Sequence, residues 1–293
     1  FRGDETNVYK RFHDVVKNSE ASVVVRITAD CPLIDPDPRV SGAGFKKLQQ
    51  ANIEVDYIPV VRAPAATIVR GFITRIGKGR PFVTAKLGMS IDGKIASKTG
   101  KSQWITNEIS RARSHLLRVQ NDAILVGTNT FLLDNPKLNV RGSLNNLSSP
   151  LRLFLDRKLK IFPSDQVLNN VLNYPSIVIC GEEPNATNLK IWENANAQVI
   201  KVASSDQGID LRKLLLILGQ KGINSLLVEG GGKIIRGLIQ NDLIDECIVY
   251  RSGLLIGSDG VPSIAELKNN PQEISSYPKM VLKSTNRYDD NLE

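Results

Sequence analysis

Seven short apolar runs limit what this chain can fold into more than any other feature. They are FVTAKL (82–87), AILV (123–126), LRLFL (151–155), SIVIC (176–180), QVIKV (198–202), SLLV (225–228) and ECIVY (246–250). Each is too short for a packed helix, and helical or polar stretches separate most of them. That alternation is the mark of an α/β protein with a mostly parallel sheet flanked by helices.

The first run carries the feature with the most chemistry. Val83, Ala85 and Leu87 alternate with Thr84, Lys86 and Gly88, the period of a half-buried strand. A lysine in such a strand must face solvent, a carboxylate or a ligand. Two residues on, Gly88 would let a flat ligand approach the backbone. Asp92-Gly93 and Thr99-Gly100-Lys101-Ser102 then read as turns, a pattern that an ordinary edge strand and hairpin would also give.

Downstream, Thr106 or Asn107 caps a helix whose Glu108 complements the dipole. Ile109, Ala112, Leu116 and Val119 form its expected apolar stripe. Arg111, His115 and Arg118 form a basic face that spacing alone reads as solvated. NDAILVGTNTFLLDNP reads as a strand, a turn at Gly127 and a brief helix. Another amphipathic helix runs through Leu218 and ends near Gly219 or Gly222. A strand over Ser225–Val228 then leads to Glu229, three glycines and a helix from about Lys233. Consecutive glycines let the backbone close on a pyrophosphate, and the helix start adds amides and a positive dipole. The pattern is not the G-x-G-x-x-G of Rossmann folds.

The net charge of +8 favours anionic partners. Only 5% of residues are aromatic and no Lys/Arg block appears, which favours phosphorylated small molecules over nucleic acid. The three cysteines, Cys31, Cys180 and Cys247, are far apart, against a disulfide framework or structural zinc and for a reducing compartment. No run approaches 18 apolar residues and no leader opens the chain, so the expectation is a cytoplasmic protein with no membrane partner.

AKLGMSIDGKIA with GKSQWIT, then GTNTFLLDNPKLNVRG, then LLVEGGGKIIRGLI closely resemble, in order, the reductase domain of the bifunctional riboflavin-biosynthesis deaminase–reductase, over residues 81–293. The resemblance implies a dihydrofolate-reductase-like fold. It also implies NADPH-dependent reduction of 5-amino-6-(5-phosphoribosylamino)uracil to its ribitylamino form. Matched to the family's motifs, Ser102, Arg118, Leu138, Arg141 and Glu229 fall on substrate positions. Gly88, Trp104, Thr130, Asp134 and the run Gly231, Gly232, Lys233, Ile234, Ile235, Arg236 and Gly237 fall on cofactor positions. Lys86 and Glu229 are the motif residues nominated near the reacting centre. The strand-end pair Arg157-Lys158 would suit the 2′-phosphate that distinguishes NADPH from NADH. Homo-oligomerisation is left open. A related reductase of a pterin-like heterocycle and an inactive fusion product are the alternatives.

Residues 1–37 resemble a fragment of a nucleotide-sugar cytidylyltransferase, with a helix, a strand around Val23–Val25 and Asp30 at its end. That family's glycine- and arginine-rich nucleotide loop is missing. Residues 38–58 resemble the last strand–helix of the deaminase domain, and 59–80 read as a linker by composition. Zinc deaminases use H-x-E and P-C-x-x-C ligands. The only histidines, His13 and His115, do not precede a glutamate at that spacing, so neither a metal nor deamination is expected.

Overall fold

The computed structural model describes residues 46, 50, 51, 67–162, 164–267 and 273–293. Two compact units divide the chain, Phe1–Ile73 and Thr74–Glu293, and the second holds the sheet. The helix and strand expected within residues 1–37, with Val23–Val25 and Asp30, lie outside the described residues. So does the strand–helix of 38–58, apart from positions 46, 50 and 51.

The linker expected over 59–80 ends in a helix instead, α1 (Arg70–Lys78). The prolines in it and just after it, Pro59, Pro64 and Pro81, all lie outside those nine residues, so the composition of the whole stretch concealed the helix. Arg75 Nε donates to Asn224 Oδ1 at 2.6 Å. Lys78 and Arg80 both reach Asp245, at 3.2 and 2.9 Å, and Asp245 also accepts from the Val83 amide at 2.9 Å. Burial alone would raise the Asp245 pKa, but Arg80, the Val83 amide and Lys78 hold it below the usual carboxylate range.

Asp245 thereby ties the starts of two neighbouring strands. Nine strands form one sheet in the order β12 (Arg287–Tyr288), β13 (Asn291–Leu292), β10 (Glu246–Ser252), β1 (Phe82–Met89), β9 (Ser225–Glu229), β3 (Ala123–Gly127), β4 (Leu151–Leu155), β5 (Ser176–Cys180), β6 (Gln198–Lys201). From β10 to β6 every pairing is parallel, and only β13 and β12 run antiparallel at one edge. Two ribbons lie apart, β2 (Lys94–Ala96) with β11 (Val261–Pro262), and β7 (Ser204–Ser205) with β8 (Gly208–Ile209). The expected mostly parallel α/β sheet is what forms. The half-buried reading of the first run does not hold: β1 is interior, and Thr84 is as buried as Val83 and Ala85. A parallel sheet carries helices on both faces, so both faces of its central strands leave water.

The helices are α2 (Glu108–Val119), α3 (Thr128–Asp134), α4 (Asp165–Leu172), α5 (Ala186–Asn194), α6 (Leu211–Gln220) and α7 (Gly232–Gln240). On one face, Val83, Ala85, Leu125, Leu153 and Val228 pack with Leu214 and Leu218 of α6 and Ile235 and Leu238 of α7. On the other, Ile124, Val126, Phe154, Val178 and Leu227 pack with Phe131 of α3, Val171 of α4 and Trp192 of α5.

Helix α6 ends at Gln220, with Lys221 as its cap and Gly222 at φ +86° just beyond, as expected; Gly219 lies in its last turn, where a Cβ would run into the Gly79 carbonyl. One expectation about helices is corrected: the buried face of α2 is not the expected apolar stripe. Ile109 and Ala112 are exposed, whereas Ser110 and Ser114 are buried. The Ser110 hydroxyl bonds Asn291 Oδ1 at 3.1 Å and the Ser114 hydroxyl donates to the Ser110 carbonyl at 3.0 Å. Hydroxyls satisfied in this way bury at little cost, though they read as polar in sequence.

Candidate active site

The C-terminal ends of β1, β9 and β3 meet where the strand order reverses, the usual place for a ligand crevice in an open α/β sheet. Lys86 and Glu229 are partners in register across β1 and β9 and therefore project to the same face. On that face Arg118, from the last turn of α2, meets Glu229 through a two-pronged ion pair, Nε to Oε1 and Nη2 to Oε2, both at 2.9 Å. Each side chain is only 12% exposed. Burial alone would raise the Glu229 pKa. Arg118 first, then Lys86, reverses that and brings it down to about 2. Glu229 is therefore a fixed carboxylate near neutral pH: an acceptor of hydrogen bonds, not a donor.

Arg118 spends its third donor on the chain, Nη1 to the Asn139 carbonyl at 3.0 Å. The segment it holds carries Leu138, 2% exposed and in the left-handed region at φ +53°, and leads to the exposed Arg141. One turn before Arg118, His115 lies within electrostatic reach of Arg118, Arg141 and Glu229. Its pKa is pushed down, first by burial and then by the two arginines. Among the described residues its buried Nδ1 has no hydrogen-bond partner.

Of the cofactor candidates outside the 231–237 run, Thr130 stands beside the glycine turn. Gly230 and Gly231 both stand at φ +83°, so only glycine fits without strain, and no side chain caps the start of α7. A Cβ on Gly230 would be 3.4 Å from Thr130 Oγ1, and one on Gly100 would be 3.7 Å from Leu133 Cδ1. The start of α3 thus lies beside the glycines, and its far end lies beside the turn before Ser102. Gly88 faces Thr106, whose methyl would be 3.5 Å from an added Cβ. Ser102 is half-buried and its carbonyl accepts from the Ile105 amide at 3.2 Å. Trp104 is 68% exposed and the Arg111 guanidinium lies 4.4 Å from its ring centroid. Asp134 and Lys233 are exposed, and Arg236 reaches the Glu266 carbonyl at 3.5 Å.

The run Gly231–Gly237 does not act as one surface. Ile235 is 0% exposed in the core, and a Cβ on Gly237 would come within 2.9 Å of Leu211, away from the turn. A helix turns about 100° per residue, so seven consecutive positions cannot all face one ligand. His115 and Arg111, assigned to a solvated face by spacing, stand at the site or hold a part of it. The His115–Arg118 interval of three residues, one helix face, was the available signal. At the far end of the same strand edge, a cavity of about 970 Å³ is lined by Arg157, Lys158, Lys160, Asn185, Ser204 and Ser205, among others. Arg157 Nη1 donates to the Ser205 carbonyl at 2.8 Å. Among the described residues no three His, Cys, Asp or Glu side chains come together as a metal site, and no helix is long and apolar enough to cross a membrane.

Residues 81–292 match the RibD C-terminal domain. Over 268 residues the chain is 32% identical to the riboflavin biosynthesis protein RibD of Escherichia coli, covering 86% of this chain and 70% of that protein. The chain belongs to the RibD C-terminal domain family. RibD of Acinetobacter baumannii has a similar structure, with a TM-score of 0.75 at 26% identity, over 88% of this chain and 69% of that one. A diaminohydroxyphosphoribosylaminopyrimidine deaminase/5-amino-6-(5-phosphoribosylamino)uracil reductase from Thermotoga maritima gives 0.71 at 30% identity, over 88% and 67%. Against RibD of Aquifex aeolicus the chain covers 65% of the relative's length, so it spans about two thirds of these proteins. The nine-stranded sheet is that of the RibD reductase domain.

Proposed function

We propose that this RibD-family chain reduces 5-amino-6-(5-phosphoribosylamino)uracil to 5-amino-6-(5-phosphoribitylamino)uracil, with NADPH as reductant. The observation that carries the reading is the Lys86–Glu229–Arg118 constellation beside an uncapped glycine turn, on a sheet of this family. The residues present fit a phosphorylated dinucleotide. The turn at Gly230–Gly231 and the uncapped start of α7 suit a pyrophosphate, and Lys158 and Lys160, in a cavity that also holds Glu182, Glu183 and an Arg157–Asp206 pair at 3.8 Å, offer cations to a 2′-phosphate. From β1 to β5 is four strand spacings, about 19 Å, the scale of an extended dinucleotide laid along the strand ends. Trp104 and Thr130 would border it.

When bound, the nicotinamide supplies a hydride to C1′ of the opened ribosylamine, and the neighbouring nitrogen takes up a proton. The protein's own part is placement and charge. Arg141 suits the phosphate of the sugar. The fixed carboxylate of Glu229 suits hydroxyl or amino groups of the substrate. Lys86 is the cation beside it and the group we assign to proton delivery. Leu138, buried in the core, would anchor the loop that carries Arg141. Only the reductive step is assigned.

The test follows NADPH oxidation on adding the phosphoribosylamino-uracil to the purified protein. Stoichiometric conversion to the ribitylamino product is expected. NADPH bound but never oxidised, with this substrate present, would overturn the reading.

A further inference from the structure

Arg152 is 1% exposed in the interior of the sheet, yet among the described residues every hydrogen-bond partner it has is neutral. It stands in register with Ile124 of β3, which pairs with Leu227 of β9, and its hydrogen bonds fall on the face that carries Glu229. Its guanidinium lies 5.4 Å from the Phe154 ring centroid and 4.9 Å from that of Tyr174. A buried cation without an anion is costly, and burial indeed pushes its pKa down to about 10, so it remains charged near neutral pH. An apolar side chain would fill a sheet core more cheaply, so what the charge holds is informative.

It holds three segments. Nη2 donates to the Ser176 hydroxyl at 2.6 Å and to the Asn170 carbonyl in the last turn of α4. Nη1 donates to Asn170 Oδ1 at 3.0 Å and to the Lys137 carbonyl at 3.1 Å. Asn170 in turn donates through Nδ2 to Asn135 Oδ1 at 2.9 Å. Arg118 holds the Asn139 carbonyl from the active site. The backbone on either side of Leu138 is therefore gripped by two arginines, and Asn135 and Leu138 both occupy left-handed conformations, at φ +36° and +53°. Residues in that region persist only where their surroundings impose it.

We propose that Arg152 is a positioning residue: through the Lys137 carbonyl and Asn170 it fixes the 135–141 loop, with Leu138 anchored in the core, so that Arg141 at the loop's end is presented preformed to the phosphate of a phosphoribosyl-pyrimidine. The assignment rests on the reductase reading for the identity of that ligand, but not for the ordering of the loop.

The experiment compares the full chain with Arg152→Met, Arg152→Lys and Asn170→Ala, reading loop amide exchange, NADPH affinity and steady-state kinetics. Arg152→Met should speed exchange of amides 137–141 and raise KM for the phosphoribosylamino-uracil, each about tenfold or more, while NADPH Kd stays within about twofold. Arg152→Lys keeps the charge but loses the fork, and should not rescue either readout. Should Arg152→Met fail to unfold cooperatively, Asn170→Ala decides, with the same two changes at smaller amplitude. Unchanged exchange and KM in a folded Arg152→Met protein, or in Asn170→Ala where that protein decides, would overturn the proposal. So would equal losses for both ligands. A wild-type chain that turns over no substrate would remove the ligand reading, and the exchange measurement would still decide the positioning.

Discussion

Arg118 and Arg152 grip one loop from two sides, at Asn139 and at Lys137, and both are withdrawn from water. They differ in what balances their charge. Arg118 is matched by Glu229, with Lys86 on the next strand, whereas the described partners of Arg152 are carbonyls, an amide, a hydroxyl and two rings. The first arrangement leaves an anion and a lysine side by side at the C-terminal ends of two central strands, where open α/β sheets bind ligands. The second exposes no charge and leaves nothing for a ligand to meet. The same residue type thus serves chemistry in one place and geometry in the other.

The largest effect should come from removing the anion. Glu229→Ala strands Arg118 in a site built for a pair, which costs about 3–5 kcal/mol of stability, and should lower turnover by about 10²–10³-fold. Urea unfolding and NADPH oxidation measure the two. A Glu229→Ala protein as stable and as active as its parent would erase the contrast between the arginines.

Acid separates them without mutation. The Glu229 pKa is depressed from an ordinary 4.5 to about 2, so its contribution is complete above pH 4.5 and is lost as pH falls toward 2. The amount at stake is about 3 kcal/mol. Glu229→Gln should remove that part of the acid unfolding profile. Arg152 gains and loses no proton in this range, so Arg152→Met should leave the shape of the profile alone.

Much of this was legible in the sequence. The short apolar runs fixed the strands because their lengths and bounding turns admit little else. The three glycines before a helix start were visible as a turn that suits a pyrophosphate, whereas Glu229 itself was marked only by the family resemblance. What escaped depended on partners distant in the chain. Ser110 and Ser114 looked polar and proved buried, since Asn291, 181 residues away in sequence from Ser110, satisfies the first. Arg152 went unremarked within LRLFL, since nothing local announces Asn170 and Lys137 as its partners. His115 and Arg111 were read from spacing alone, and spacing cannot say which face of α2 looks at a sheet.

The loop held by the two arginines ends in a third, Arg141, which is exposed and free to reach a ligand. A charge-assisted bond to a phosphate is worth about 1.5–3 kcal/mol, so Arg141→Ala should raise KM for the phosphorylated substrate by about ten- to a hundredfold and leave NADPH affinity unchanged. Isothermal titration with NADPH beside initial-rate kinetics separates the two ligands. Equal losses for both would place Arg141 at the cofactor and break the division between paired, structural and ligand-facing arginines.

The smallest effect expected is at Arg111, whose guanidinium lies on the exposed ring of Trp104. An exposed contact of this kind contributes about 0.5–1 kcal/mol, so Arg111→Ala should weaken NADPH binding by only about two- to fivefold, through a ring no longer held in place. Fluorescence can follow it, because the two tryptophans differ sharply: Trp104 is 68% exposed, whereas Trp192 is 1% exposed and packed in the core. NADPH should quench the exposed component, and Trp104→Phe should abolish that quench while the buried emission persists. In Arg111→Ala the quench should survive in full amplitude but need more NADPH to reach it. A Trp104→Phe protein that is still quenched as its parent is would mean that the cofactor binds away from this ring, and Arg111 would then be holding a tryptophan for some other purpose.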